Sequence, residues 1–124
     1  MENKINYSLI VAILNRGFSD VAMSAARSAG AKGGTVISAK SSGLHEEETF
    51  FGISILPEKE VVLILTSDDT KNAIMRAIMD ESGTGTKAGA IVFSLPVTDT
   101  AGMRMMEEIE EELQSEEEAT AVTE

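Results

Sequence analysis

Four short runs of β-branched and aliphatic residues, interleaved with two helical patterns, restrict the folds open to this chain more than any other feature. The runs cover residues 5–14, 35–40, 60–66 and 90–97. The helical patterns cover residues 19–30, after the first run, and residues 67–80, after the third. Two strand–helix–strand units in this order predict an α+β fold of the ferredoxin-like, split βαβ type, with a four-stranded antiparallel sheet and both helices on one face.

Polar and turn-forming residues mark the predicted helix ends. Ser19 or Asp20 can cap the first helix and Gly30 can end it, while Ser67 can cap the second. The residues expected to pack against the sheet are Val21, Met23, Ala25, Ala26 and Ala29 in the first helix and Ala73, Ile74, Ala77 and Ile78 in the second. Pro96, near the end of the fourth run, favours an edge strand or a strand end, because proline cannot donate a ladder hydrogen bond.

The predicted fold leaves one sheet face without a helix to cover it. Half of the apolar side chains of each strand point to that face, because successive residues of a strand alternate between faces. A single chain would expose a large apolar surface there, so we expect it to associate with further copies of itself.

Negative charge is concentrated near the C-terminal end. The chain has 10 Lys and Arg against 21 Asp and Glu, a formal charge of -11. Nine of the acids and none of the bases lie in residues 105–124, so residues 1–104 carry a balance of only -2. We therefore expect one domain over residues 1–104 and an acidic segment over residues 105–124. Helical spacing of apolar residues predicts a terminal helix from Asp99 to about Gln114, before a disordered tail.

Composition removes several functional classes. The overall charge disfavours nucleic acid and anionic lipid surfaces as partners. No apolar run is long enough to span a bilayer and no secretory signal pattern is present, so the expected location is the cytoplasm. The chain has no cysteine, and its one histidine, His45, lies beside three glutamates in residues 41–58, which are predicted to form a mobile hairpin or loop. We expect no enzymatic activity, because a catalytic triad needs an ordered base.

Residues 83–89 are the strongest candidate for a binding site. Gly83, Gly85 and Gly89 are interleaved with Thr84, Thr86 and Lys87. Glycine lets backbone N–H groups approach a phosphate closely, the hydroxyls can add hydrogen bonds, and the lysine supplies a balancing charge. The spacing is not that of a P-loop, and a flexible connection that binds nothing is the alternative.

Residues 84–97, TGTKAGAIVFSLPV, resemble the phosphate-binding B-loop and fourth strand of the P-II nitrogen-regulatory signalling proteins, which read roughly TGKxGDGKIFVLPV. Further similar segments are Gly33-Gly34-Thr35-Val36 at the entry into the second strand, Ser41-Ser42-Gly43 at the start of the family's T-loop, and Leu56-Pro57 at its end. The resemblance extends over residues 4–104 and implies the fold predicted above.

The resemblance also implies a homotrimer that binds ATP or ADP in the clefts between subunits. The residues that match the family's phosphate site are Gly85, Thr86, Lys87, Ala88 and Gly89. Thr35 and Gly43 would line the adenine side, and Arg104 would reach the ligand from a neighbouring chain. The bound effector would favour one T-loop conformation, and that loop would regulate a partner, such as a membrane transporter or a metabolic enzyme. Phe50 and Phe51 are expected either at the partner contact or in a core or subunit interface.

Several positions depart from the family pattern. Ala88-Gly89-Ala90-Ile91 stands where the family has Gly-Asp-Gly-Lys, so the B-loop lysine is missing and Lys87 is a displaced substitute. Gly102 stands where a first C-terminal arginine is usual, and Glu60 where a strand-three lysine is usual. The absence of each charged phosphate interaction costs roughly 1.5 to 3 kcal/mol, which predicts nucleotide binding that is weak, altered toward another ligand, or absent. The T-loop, residues 43–57, is short and has neither tyrosine nor glutamine, which argues against uridylylation and against the family's magnesium and 2-oxoglutarate contact.

Two other functions stay open from the sequence. A trimer resembling the divalent-cation-tolerance proteins would share the fold and bind metal through acidic residues such as Glu46, Glu47 and Glu48. A purely structural trimer would bind nothing at residues 83–89. Binding of nucleotide, of copper or zinc, or of neither separates the three functions.

Overall fold

The computed structural model describes residues 5–42 and 48–102, and for residues 48–50 and 53–55 it describes the backbone alone. Six strands and two helices lie within this part of the chain. In chain order they are β1 (Tyr7–Asn15), α1 (Ser19–Ser28), β2 (Thr35–Lys40), β3 (Glu48–Phe50), β4 (Ile53–Ile55), β5 (Glu58–Ser67), α2 (Asp68–Ser82) and β6 (Ile91–Val97). The four strands predicted from the sequence are β1, β2, β5 and β6.

These four strands form one antiparallel sheet in the order β2-β5-β1-β6. Val11, in the middle of β1, lies opposite Leu63 of β5 on one side and Phe93 of β6 on the other. β6 is an edge strand, as the position of Pro96 predicts. The molecule has the α+β ferredoxin-like fold, and the order of its elements was predicted correctly from the sequence.

Both helices pack against the same face of the sheet. The even-numbered residues of β1 and β5 point to this face, and Ile10, Leu14 and Ile64 are fully buried there. α2 adds two large side chains, Ile74 and Ile78, which are also fully buried. α1 adds mainly small ones, Ala22 and Ala26 with Met23, so this helix lies close to the sheet.

The beginning of α1 differs from the prediction. Neither Ser19 nor Asp20 is the N-cap; Phe18 occupies that position and makes no side-chain capping bond. The acceptor comes instead from Glu60 of β5, whose carboxylate lies 2.7 Å from the N–H of Gly17 and 3.2 Å from the hydroxyl of Ser19. The prediction for Val21 was also wrong, since its side chain is 43% exposed and the neighbouring Ala22 takes the buried position. In α2 the prediction for Ala73 was wrong in the same way, because Ala73 is exposed.

The face opposite the helices is apolar and has no cover within the described residues. It carries the odd-numbered residues of the central strands and four strongly exposed side chains of the edge strands. The latter are Ile37 of β2, 45% exposed, and Ile91, Phe93 and Leu95 of β6, 66%, 42% and 48% exposed. This open face is defined by the side chains of Leu9, Val11, Ile13, Ile37, Val61, Leu63, Leu65, Ile91, Phe93 and Leu95.

The segment between β2 and β5 contains a short hairpin of β3 and β4. A hairpin was one of the two structures predicted for this segment, the other being a loop. Its turn is formed by Phe51 and Gly52, both with positive φ, at 52° and 78°. Residues 43–47 lie outside the described residues, and so does the predicted terminal helix from residue 103 onward. Residues 99–102, where that helix was expected to begin, are not helical.

Candidate functional site

The glycine loop, residues 83–89, connects α2 to the edge strand β6 and has a defined backbone. Gly85 and Gly89 have φ angles of +92° and +55°, a region that side chains with a Cβ atom rarely adopt. The loop is closed at its base by a hydrogen bond of 2.7 Å from the N–H of Ala90 to the carbonyl oxygen of Ser82. The glycines identified in the sequence therefore shape an ordered turn.

Thr86 stabilises the loop from within. Its N–H and its Oγ1 both donate to the carbonyl oxygen of Gly83, over 3.1 Å and 2.8 Å. The threonine hydroxyl was expected to contact phosphate. In this conformation it donates its hydrogen bond to the loop backbone instead. A phosphate at the loop would rely on backbone N–H groups and on Lys87, whose side chain is exposed.

Asn15, the last residue of β1, fastens the loop to the sheet. Its backbone N–H donates to the carbonyl oxygen of Ala88 over 2.9 Å, and its side-chain Nδ2 donates to that of Lys87 over 2.8 Å. Its Oδ1 accepts a hydrogen bond of 2.8 Å from Nζ of Lys59 in β5. No local sequence pattern indicates this role of Asn15, because the contact is with a residue 72 positions away.

Thr35, the predicted adenine-side residue, lies at the other edge of the sheet. It begins β2 and pairs with Leu63 of β5. Thr35 lines a groove of about 710 Å³ together with backbone of the α1–β2 connection and apolar side chains of the open face, among them Leu9 and Leu65. Lys32 is the charged residue of that groove. A groove lined by apolar side chains, backbone and one charged residue suits a flat apolar ring with a polar edge.

The two parts of the predicted site do not meet within one chain. β5 and β1 lie between the edge strands β2 and β6. Three strand spacings separate these edges by about 14 Å. Gly43 and Arg104, the other two predicted site residues, lie outside the described residues.

A second, smaller groove of about 440 Å³ lies where β2, β5 and the end of β1 meet. It is lined by Arg16, Ser38, Ala39, Lys40, Glu58, Lys59 and Glu60. The exposed side chains of Arg16 and Glu58 form an ion pair. The N–H of Gly17 and, more weakly, the groups of Ser19 and Phe18 hold the pKa of Glu60 below its ordinary value, against a partial desolvation. Glu60 therefore acts as a structural anion for α1, and these donors stabilise its charged form.

No group of three or more potential metal-ligating side chains occurs in residues 5–42 and 48–102. Glu46 and Glu47, two of the three acidic residues of the alternative metal site, are not among those residues, and neither is His45. None of the helices in the same part of the chain has the length and hydropathy needed to cross a bilayer.

Comparison with protein families identifies the chain. A family model described as nitrogen regulatory protein P-II matches residues 7–107. The chain belongs to the P-II family. A search of solved structures matches the P-II chain to the crystal structure of Arabidopsis thaliana PII bound to citrate, with a TM-score of 0.59 and 21% identity, covering 82% of this chain and 83% of that one. A search of curated proteins found no match.

Family membership confirms the resemblance drawn from the glycine loop and the strand that follows it. A P-II protein is a signal-transduction regulator, and P-II proteins generally form trimers and act on partner proteins. The structural likeness to the plant protein concerns the fold, with its antiparallel sheet and two helices.

Proposed function

We propose that this P-II protein is a cytoplasmic homotrimer that binds an adenine nucleotide, ATP or ADP, in the crevices between subunits. It regulates a protein partner through residues 41–58 and catalyses no reaction itself. The partner is a membrane transporter or a metabolic enzyme. Residues 85–89 hold the phosphates, Thr35 and Gly43 line the adenine side, and Arg104 reaches the ligand from a neighbouring chain.

The observation that carries this proposal is the division of the candidate site between opposite edges of the sheet. The glycine loop precedes the edge strand β6, while the groove of Thr35 lies at the edge strand β2. A second copy that places its β2 edge beside β6 would unite the two halves. Such a contact joins different surfaces of the two chains, and it closes into a ring when its rotation divides a full turn.

The open face supports the same arrangement. Its exposed aliphatic and aromatic side chains lie on both edge strands as well as on the central ones. Burying them between three copies stabilises the assembly by roughly 25 cal/mol for each Å² of apolar surface removed from water. Two further copies of the chain thus cover the open face and complete the site.

The chemistry of the glycine loop suits the phosphates of a nucleotide. Within residues 5–42 and 48–102, the N–H groups of Ala88 and Gly89 donate no hydrogen bond. Lys87 supplies one cation, and the apolar groove at Thr35 suits an adenine ring. The Arabidopsis protein is bound to citrate, a small polyanion, which makes citrate a second effector to test.

Regulation would act through the segment between β2 and β5. Its two ends are joined by a hydrogen bond of 3.0 Å from the N–H of Ser41 to the carbonyl oxygen of Pro57. Phe51, at the tip of the hairpin, is 88% exposed and is a candidate anchor for the partner. A ligand that binds one conformation of this segment better would shift the population toward it.

Lys87→Ala gives the sharpest test of the proposed site. Sedimentation should show a trimer for the parent protein and for the variant, and calorimetry should show ATP or ADP binding weakened about tenfold, because one charge-assisted hydrogen bond is removed. Lys71→Ala, on α2, is the matched control and should bind as the parent does. A monomeric parent protein, or one that releases heat with copper or zinc and none with ATP, ADP or citrate, would contradict the proposal.

A further inference from the structure

Asn15 touches the glycine loop with two donors, one from its backbone and one from its side chain. The backbone N–H holds the carbonyl oxygen of Ala88, and Nδ2 holds that of Lys87. Asn15 therefore determines the direction of two successive peptide groups of the loop.

The planar trans peptide connects this anchoring to the loop's binding chemistry. In a trans peptide the C=O and the following N–H point in opposite directions. When Asn15 draws the carbonyl oxygens of Lys87 and Ala88 toward the sheet, the N–H groups of Ala88 and Gly89 point away from it. Two successive N–H groups on the side of the loop away from Asn15, the second on a glycine with φ of +55°, form the concave backbone arrangement that binds anions.

Lys59 fixes which end of the Asn15 amide faces the loop. An ammonium group can only donate hydrogen bonds, so it must face the oxygen of the amide. Its bond of 2.8 Å to Oδ1 leaves Nδ2, the donor, on the side of the Lys87 carbonyl. Without Lys59 the amide could rotate by half a turn and present an oxygen to another oxygen.

We propose that Asn15 is the positioning residue of the anion site, with Lys59 as the group that sets its orientation. The inference rests on the proposed function, since it concerns the same glycine loop. Asn15 acts through the loop backbone and does not contact the ligand. Its side chain controls the N–H of Ala88, while its backbone N–H controls that of Gly89.

This division predicts a signature that general loosening of the loop would not produce. The side-chain bond is removed in Asn15→Ala and Asn15→Asp, whereas the backbone bond remains in both. Titration with inorganic pyrophosphate, followed by the amide resonances of residues 83–90, should shift both Ala88 and Gly89 in the parent protein. In the two variants the Ala88 response should disappear, the Gly89 response should persist, and the Kd should rise roughly tenfold.

A comparison of the two Asn15 variants, together with three further variants at Lys59 and Asn72, completes the experiment. Asn15→Ala removes the bond without adding charge, so agreement between it and Asn15→Asp excludes simple repulsion of the anion. Lys59→Arg keeps a donor for Oδ1 and should bind pyrophosphate as the parent protein does, while Lys59→Met should weaken the Ala88 response. Asn72→Asp, on the exposed side of α2, makes the same chemical change away from the loop and should alter neither resonance.

The outcomes separate this inference from the proposed function. Unchanged Ala88 responses in both Asn15 variants, joint loss of the Ala88 and Gly89 responses, or no response in the parent protein would each overturn the role of Asn15. A pyrophosphate response of the predicted form, together with no binding of ATP or ADP, would support Asn15 and refute the nucleotide. Binding of ATP or ADP that leaves the amide resonances of Ala88 and Gly89 unshifted would support the nucleotide and refute the role of Asn15.

Discussion

Glu60 shows how a single charge can be used within the fold instead of at a ligand. Its carboxylate accepts hydrogen bonds from the N–H groups of Gly17 and Ser19, just before and at the start of α1. The N–H of Ser19 is one of the groups that a helix leaves without an internal partner at its first turn, and the N–H of Gly17 lies just outside the helix. A glutamate at this position therefore stabilises α1, where a lysine would bring two positive ends together.

Glu60→Gln should lower the free energy of unfolding at neutral pH by about 0.5 to 1 kcal/mol, because the amide oxygen is a weaker acceptor and carries no charge. The folded-state pKa of Glu60 is depressed, so its contribution is complete above the ordinary glutamate value of about 4.3 and disappears as the pH falls through the folded-state pKa. The free energies of unfolding of the parent protein and the variant, measured in urea, should therefore converge below the folded-state pKa of Glu60.

Glu58→Gln is the control for this experiment. It removes an exposed ion pair with Arg16 and should cost less than about 0.5 kcal/mol. A constant difference between Glu60→Gln and the parent protein from pH 7 to strongly acidic pH would show that the charge of Glu60 does not stabilise α1.

The residue scale is also where sequence reasoning reached its limit. The cap of α1 was assigned to Ser19 or Asp20 because capping is normally local, whereas the acceptor comes from a residue 41 positions later. Asn15 was missed for the same reason. Glycine positions were predicted better, since the φ angles of Gly30, Gly85 and Gly89 are local requirements.

At the scale of elements, continuous apolar runs gave the strands and their order correctly. β2 has the predicted bounds, and β1 and β5 differ by a few residues at their ends. The sequence of residues 41–58 did not distinguish a loop from a hairpin, because the short strands β3 and β4 lack a clear alternation of apolar and polar residues. Helix faces were less certain, and Val21 faces outward because α1 presents Ala22 to the sheet.

The connection between α1 and β2 contains a close approach that can be tested. A Cβ on Gly34 would lie 2.8 Å from the Sδ of Met23 and 3.0 Å from the carbonyl oxygen of Leu63, whereas one on Gly33 would meet nothing within 4 Å. Gly34→Ala should therefore destabilise the fold by about 1 to 3 kcal/mol in urea unfolding, through displacement of α1 from β5. Gly33→Ala should be neutral or slightly stabilising, and equal effects of the two would show that this region is loosely packed.

At the scale of the whole molecule, the open face decides whether the chain acts alone. Phe93 lies on this face in the edge strand β6, opposite Val11, and is 42% exposed. Phe93→Glu would place a carboxylate in the proposed interface, where burying an unpaired charge costs several kcal/mol. Sedimentation velocity should show a folded monomer, with nucleotide binding abolished as well.

Met79→Glu is the matched control for Phe93→Glu. Met79 is 39% exposed, but it lies on α2, on the opposite side of the sheet from the open face. This variant should keep the oligomeric state of the parent protein. A Phe93→Glu protein that still sediments as a trimer would show that the open face is covered in some other way.

The separation of the glycine loop from Thr35 across the sheet has a consequence for genetics. Each crevice in the proposed ring is formed by one wall from each of two chains, so a single chain does not contain a complete site. Subunits damaged at one wall and subunits damaged at the other, when co-assembled, would restore intact crevices that neither parent possesses. Defects in the two walls would therefore complement each other, while two defects in the same wall would not.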